Sequence, residues 1–256
     1  MVIITGDTHG KFDRLKKDCA KRRKLKENDY LIICGDFGGI WFGNQRQEKT
    51  LNELSTLPFT ILFADGNHEN YDLLDSYPVR EWHGGKVQII RPNIIHLMRG
   101  QIYEIEGKKY FVMGGAACHD VWNGILDPNS PSFERKYSSL RKRHAFARIK
   151  GISYWTRELP SKEEYDEAWK NLCDNNKEVD IVISHCAPSE LQNMFMYIVK
   201  NFTYPQNELT DFLQKVYNEC SFQCWCCGHY HLSFRFQKFH ILYENYLIVE
   251  KNPQAL

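Results

Sequence analysis

The sequence predicts an α/β fold built on mixed β-sheets, and three observations predict it. Four short runs, VIIT (2–5), YLIIC (30–34), FTILFA (59–64) and VDIVIS (179–184), are β-branched and apolar almost throughout. Runs this short and this apolar suit strands buried on both faces in a parallel or mixed sheet. The first two are separated by KFDRLKKDCAKRRKLKEN (11–28), helical in propensity, so the chain opens as a βαβ unit. Further on, SKEE (161–164) is a capping box: the Ser161 hydroxyl takes the amide of Glu164, and the Glu164 side chain answers.

The remaining elements follow in order. NIIHLM (93–98), QIYEIEG (101–107) and KKYFVMGG (108–115) read as antiparallel strands joined by glycine-containing turns. A longer polar insertion spans about 118–180 and holds the helix that starts at Ser161 behind Pro160. A fifth apolar run, FQCWCC (222–227), precedes LSFRFQKFHILYENYLIVE (232–250), which reads as another antiparallel pair. Without an internal repeat, low-complexity tract or linker, residues 1–256 are expected to form one domain.

Composition narrows the function classes. The chain is 43% hydrophobic and 25% charged, ordinary for a globular protein with a core. A formal net charge of +1 gives no global field for nucleic acid or an anionic membrane. No apolar stretch approaches the roughly 18 residues needed to span a bilayer, so no membrane partner is expected. The first strand begins without a basic leader or cleavage site, and nine cysteines is an odd number. Reduced thiols and a cytoplasmic location are the expectation.

Polar residues recur at the strand ends. VIIT is followed by Gly6, Asp7 and His9; YLIIC by Gly35 and Asp36; FTILFAD by Gly66, Asn67, His68 and Glu69; VDIVIS by His185; FQCWCC by Gly228, His229 and His231. Parallel strands bring their carboxyl ends to one rim, where such sheets bind ligands. Two Asp, one Asn and four His make a mixed oxygen and nitrogen donor set suited to Mn, Fe, Zn or Co. Seven side chains exceed what one ion open to substrate needs. Two divalent ions accommodate them, and a pair about 3.5–4 Å apart suits phosphoryl displacement.

With those residues in view, the chain resembles the calcineurin-like metallophosphoesterases. That family reads D-x-H, G-D, G-N-H-E/D, H and G-H-x-H in this order; here these are Asp7-Thr8-His9, Gly35-Asp36, Gly66-Asn67-His68-Glu69, His185 and Gly228-His229-Tyr230-His231. The resemblance implies a sandwich of two mixed β-sheets flanked by helices. It implies one metal on Asp7, His9, Asp36 and His231, and a second on Asp36, Asn67, His185 and His229, with Asp36 bridging. His68 would not be a ligand but would act at the leaving oxygen. The implied reaction is hydrolysis of a phosphate mono- or diester by in-line attack of a metal-bridging hydroxide, with manganese the first expectation. The substrate would be a phosphorylated small molecule or a phosphodiester. GDFGGIW departs from the protein-phosphatase branch, where an Asp at the place of Gly39 supports the catalytic His, and SHCAP departs from its H-G-G. The GNHENYDLL run, followed by the middle segment GGAACHDVW…R…GISYW, looks more like small bacterial members of the family.

Other residues carry weaker signals. His119 and Asp120 follow a strand and could reach the rim, and Arg148 in the insertion could grip a phosphate bidentately. These three are the candidate substrate contacts, and Trp155 and Arg157 are candidates for a lid or a substrate wall. His83, His96, His144 and His240 are expected to be structural or at the surface. Cys220, Cys224, Cys226 and Cys227 are expected as buried thiols, because alternate strand residues point to opposite faces and do not converge on zinc. The basic run 16–26 reads as the wet face of a helix. A second, 135–150, would attract nucleic acid if it borders the site. The competing reading of the whole is a catalytically silent metal-binding scaffold or binding protein on the same fold.

Overall fold

In a computed structural model of the chain, residues 1–198 and 204–249 are described, the side chains of 197 and 198 excepted; Glu250, the last residue of the expected C-terminal pair, lies outside them. Strands β1 (Val2–Thr5), β2 (Tyr30–Ile33) and β3 (Thr60–Phe63) are the first three apolar runs and lie side by side in parallel. Next come β4 (Val79–Trp82), β5 (Gly85–Arg91) and β6 (Ile94–Leu97). β4 and β5 form a hairpin not expected from the sequence, closed by His83 and Gly84, both at positive φ. Two consecutive residues at positive φ match the twist of paired strands.

β6 corrects an expectation. It does not join the meander of β7 (Gln101–Ile105) and β8 (Lys108–Met113), but stays in the first sheet, parallel to β3 and antiparallel to β5. The chain changes sheets at Arg99-Gly100, and the β7–β8 hairpin forms as expected. The second sheet is completed by β11 (Ile181–Ser184) and β12 (Cys224–Cys227), parallel to each other, and by the hairpin β13 (Phe234–Phe236)–β14 (Phe239–Ile241). The last expected pair also divides: β15 (Tyr246–Val249) crosses back and pairs antiparallel with β1. The result is a seven-stranded and a six-stranded mixed sheet.

Alternation explains why the strands read as apolar throughout. Ile4, Ile32 and Leu62 meet Tyr110, Val112 and Ile183 of the other sheet. Their neighbours Ile3, Leu31 and Ile61 face outward onto the first helix (Leu15–Arg22) and α1 (Gln45–Ser55). Outside the second sheet, Phe111, Val182 and Trp225 pack on Ala168 and Leu172 of α4 (Lys162–Asp174) and on Leu209 and Leu213 of α6 (Glu208–Glu219). The two sheets are thus covered by helices on both outer faces, and the central strands β1, β2, β3, β8, β11 and β12 are buried on both of theirs along most of their length. The first helix is shorter than its sequence suggested and has a π-type turn, with its Lys and Arg side chains turned mostly to solvent.

The segment expected as an insertion has two characters. Its helix α4 starts at Ser161 with the capping box formed on both sides, and belongs to the layer on the second sheet. The part that leaves the layers runs from residue 117 to 157. Its ends meet, since Ala116 N donates to Glu158 O at 3.1 Å and Gly115 N to Asp65 O at 2.9 Å. It holds the small parallel pair β9 (Ile125–Leu126) and β10 (Arg148–Ile149), and α3 (Phe133–Lys142), which the sequence reading did not anticipate. Trp155 and Arg157 fasten it: Trp155 Nε1 donates to Asp72 at 2.8 Å, and Arg157 pairs with Asp75. Both side chains anchor the segment to α2 (Tyr71–Leu74) and to the residue that follows it. No helix among the described residues is long and apolar enough to cross a membrane.

Candidate metal centre

The carboxyl ends of β1, β2, β3, β11 and β12 converge where the two sheets meet. The loops that follow are zipped together by backbone bonds: Thr8 N and His9 N donate to Asp36 O at 3.1 and 2.8 Å, and Gly228 N donates to His185 O at 3.0 Å. Asp7, Asp36 and His185 each use one atom on a neighbouring loop. Asp7 Oδ1 accepts from His229 N (2.9 Å), Asp36 Oδ1 accepts from His68 N (2.7 Å), and His185 Nδ1 donates to Cys34 O (2.7 Å). Such outer bonds fix the orientation of metal-binding side chains. Asp7 Oδ2, His185 Nε2 and both amide atoms of Asn67 are left buried with no hydrogen-bond partner.

Those free atoms cluster. One group comprises Asp7, His9 and His231, and a second Asp7, Asp36 and His185, the ligand atoms of each lying within 4.8 Å of one another. His231 Nε2 is 3.1 Å and His9 Nε2 3.5 Å from Asp7 Oδ2, and the two imidazole nitrogens are 2.8 Å apart. Asp7 is common to both groups, whereas the resemblance assigned the bridge to Asp36. Asp36 Oδ2 also faces both sides, 3.7 Å from His9 Nε2 and 3.4 Å from His185 Nε2. The His229 ring stands 5.0 Å from that of His185, outside either group.

Glycine before a ligand has a steric reason here. A Cβ on Gly66 would lie 2.1 Å from Asp36 Oδ1, and one on Gly35 2.1 Å from His185 Nδ1, so each loop packs its bare backbone on the side chain of another. His9, Asp36, His229 and His231 themselves adopt left-handed backbone, with φ of 46°, 49°, 67° and 50°. Left-handed non-glycine residues are uncommon, and four in one site mark local strain held by the surrounding structure.

The electrostatics match a site built for cations. Burial alone would raise the carboxyls of Asp7 and Asp36. For Asp7, the facing imidazoles of His231 and His9 outweigh it; for Asp36, the charge of His185 does, and both are held below the usual range. Burial alone would lower His185, but Asp36 pulls it up to about 10. The paired carboxylates thus favour positive charge at a fully buried position. His229 goes the other way, driven down by burial and then by His185, and stays neutral with a ring nitrogen free to coordinate. Unpartnered buried donors of mixed oxygen and nitrogen type, beside paired carboxylates, fit divalent transition-metal ions.

His68 lies in neither metal group. Its ring centroid is 5.2 Å from that of His9, and Arg148 Nη2 is 3.3 Å from its Nδ1. Arg148 is held by Asp120, Nε at 2.8 Å and Nη2 at 2.6 Å. Burial, then the charge of Arg148, lowers the pKa of His68 although Asp36 opposes it. Where the protein-phosphatase branch supports this His with an Asp at position 39, the partner facing it here is Arg148. The His119 ring is 5.3 Å from His229, and its buried Nδ1 lacks a partner. All three candidate substrate contacts therefore border the centre.

Sequence reasoning missed several supporting groups. Arg14 donates to Gly6 O and Asp7 O at 3.0 and 2.7 Å. Its signal is a basic residue interrupting the buried face of the first helix. Tyr230 accepts from Ala187 N (2.9 Å) and donates to Gln192 (3.0 Å), tying the last motif to the loop after His185. Glu69 is buried, and its carboxylate accepts from Phe37 N at 2.6 Å, bracing the loop of Asp36. The nine cysteines are all free, and none belongs to a metal group among the described residues.

Comparisons with known proteins follow from this geometry. The chain matches the calcineurin-like phosphoesterase family over residues 1–233. No curated protein sequence matches it. Among solved structures it is similar to the phosphopantetheinyl hydrolase of Mycobacterium tuberculosis, with 14% identity and a TM-score of 0.46, covering 95% of this chain and 89% of that one. Since the family match takes in all five motifs from Asp7 to His231, the chain belongs to the calcineurin-like phosphoesterase family.

Proposed function

We propose that this chain hydrolyses a phosphate mono- or diester using two divalent cations held at the rim. The observation that carries the reading is the set of buried, unpartnered ligand atoms on Asp7, Asn67 and His185. One ion would sit on Asp7, His9, Asp36 and His231, the other on Asp36, Asn67, His185 and His229, with Asp7 also within reach of both. Bound there, two cations would supply Lewis acidity to the phosphoryl oxygens and lower the pKa of water. Manganese is our first choice of metal, before iron, zinc or cobalt.

The chain's own residues do the rest. Hydrolysis adds water oxygen to phosphorus, breaks the ester P–O bond and sends a proton to the departing oxygen. His68, half-buried and with its pKa lowered, offers its N–H as a hydrogen bond that steadies charge on that oxygen, while the proton the oxygen takes up derives from the attacking water. Arg148, pinned by Asp120, presents Nη2 beside His68, where a guanidinium stabilises negative charge on the phosphoryl group. His119 and Asp120 complete the wall. Nine free thiols support placing the activity in the reducing cytoplasm.

The test compares bis-p-nitrophenyl phosphate with p-nitrophenyl phosphate, using protein stripped of metal and reloaded with Mn²⁺. Turnover should require metal and fall to background in Asp36→Asn. A folded, metal-loaded protein that turns over neither ester would overturn the proposal in favour of a silent metal-binding scaffold.

A further inference from the structure

The segment from 117 to 157 carries more positive charge than the metal centre uses. Residues 133–150 hold Arg135, Lys136, Arg141, Lys142, Arg143, Arg148 and Lys150 against one carboxylate, Glu134. Arg148 is engaged by Asp120 and Lys150 by Asp127. The other five are exposed, and none has an ion pair among the described residues. Arg135, Lys136 and Ser139 of α3, with Arg143 just past its end, form one wall of a cleft of about 470 Å³, and the segment from Asn123 to Leu126, ending in β9, forms the other.

The cleft connects to the proposed site through named contacts. β9 pairs with β10, setting Ile125 opposite Arg148. The Arg148 guanidinium lies 5.3 Å over the Phe146 ring while its Nη2 reaches His68. Asn123 Nδ2 donates to the Phe146 carbonyl at 2.6 Å, holding the two loops together. On these loops two aromatic side chains stand in solvent, Trp122 at 83% exposure and Phe146 at 57%. Unpaired cations call for phosphates, and exposed rings beside them call for flat bases to stack on.

We infer that the substrate of the proposed hydrolysis is single-stranded nucleic acid. The reacting phosphate lies at the metal rim, its neighbouring base stacks on Phe146 and Trp122, and the phosphates beyond enter the cleft of Arg135, Lys136 and Arg143. The phosphoesterase reading is needed for the reacting phosphate alone; binding in the cleft stands apart from it.

The experiment measures anisotropy of a fluorescein-labelled 12-nucleotide single-stranded DNA with the full chain in chelator, where no turnover occurs. Changing Arg135, Lys136 and Arg143 together to Gln should weaken binding at least ten-fold. It should also lower the slope of log affinity against log salt by about two, since three phosphate contacts are lost. Trp122→Ala should weaken binding about ten-fold. The control changes Lys17, Lys21 and Lys24, exposed on or just after the first helix, to Gln and should leave binding unchanged. Equal losses in both triple variants would overturn the inference. So would a duplex bound as tightly as the single strand, or Trp122→Ala binding normally while inorganic polyphosphate displaces the probe. Failure of ester hydrolysis would leave this result intact, and failure of binding would leave the hydrolysis intact.

Discussion

The left-handed ligands give a stability prediction whose sign runs against the usual one. His9 and His231 have φ of 46° and 50°, and their side chains, 25% and 49% exposed, add little to the core. At an ordinary position glycine is about 0.5–1 kcal/mol less stable than alanine, because the unfolded chain gains freedom. At left-handed φ the alanine Cβ costs about 1–2 kcal/mol that glycine avoids. The net should favour glycine by about 0.5–1 kcal/mol at each site. Comparing His9→Gly/His231→Gly with His9→Ala/His231→Ala isolates this term, since both remove the facing imidazoles. The double glycine variant should be more stable by about 1–2 kcal/mol, or about 2–8 °C in melting temperature for a chain of this size. Urea unfolding in chelator measures it. An alanine variant as stable as the glycine variant would refute the claim of stored strain. Ion binding at the proposed site would offset the strain, because a ligand at 1,000 times its Kd stabilises by about 4 kcal/mol.

Four further outcomes follow. Gly66→Ala places a methyl 2.1 Å from Asp36 Oδ1, so metal content by elemental analysis should fall with stability about 1–3 kcal/mol lower; full metal content would contradict the close approach. Arg148→Ala should lower kcat/KM for an ester about 10–100-fold with metal content intact, and a parallel loss of metal would show that Arg148 acts on the ligands instead. Asp120→Asn should produce a smaller loss in the same direction, and unchanged kinetics would show that Arg148 does not need it. Burial pushes Glu158 up to about 8 in the folded chain from an ordinary value of 4.5, so the native state holds the proton longer and stability falls as pH rises from 4.5 to 8. The loss is at most about 3–5 kcal/mol. Glu158→Gln keeps the acceptor for Trp155 N and should flatten that part of the pH dependence of the melting temperature, whereas a profile parallel to the parent's would refute the assignment.

The strands were legible because burial on both faces leaves a simple trace: Ile3 and Ile4 point to opposite layers, and both are apolar. The proposed ligands were legible because strand ends repeat. Which sheet a strand joins was not: β15 pairs with β1 from the far end of the chain, and β6 with β3 and with β5, a neighbouring strand that itself went unread. The β4–β5 hairpin hid behind Val79, Arg80 and Glu81, exposed edge residues without an apolar alternation. Arg148 was legible as a possible phosphate grip, but its anchoring by Asp120, 28 positions earlier, and its approach to His68, 80 positions earlier, were not, because both partners lie far away in sequence. Helix α4 announced itself through its cap, whereas α3 begins at Ser132 with no side-chain cap bond.

The meeting of Ala116 with Glu158 makes the segment between them an exchangeable cassette. Its two ends are already joined by a backbone hydrogen bond and anchored on Asp65, so a shorter or longer piece can close the same gap. Closing a loop of twice the length costs only about 0.6 kcal/mol more. Because Arg148 travels with the cassette while the seven proposed metal ligands stay behind, an exchange would replace the group facing His68 and the outer binding wall together. The family's scaffold can therefore acquire a new specificity by grafting at this junction, without alteration to the strand ends that gather the ions.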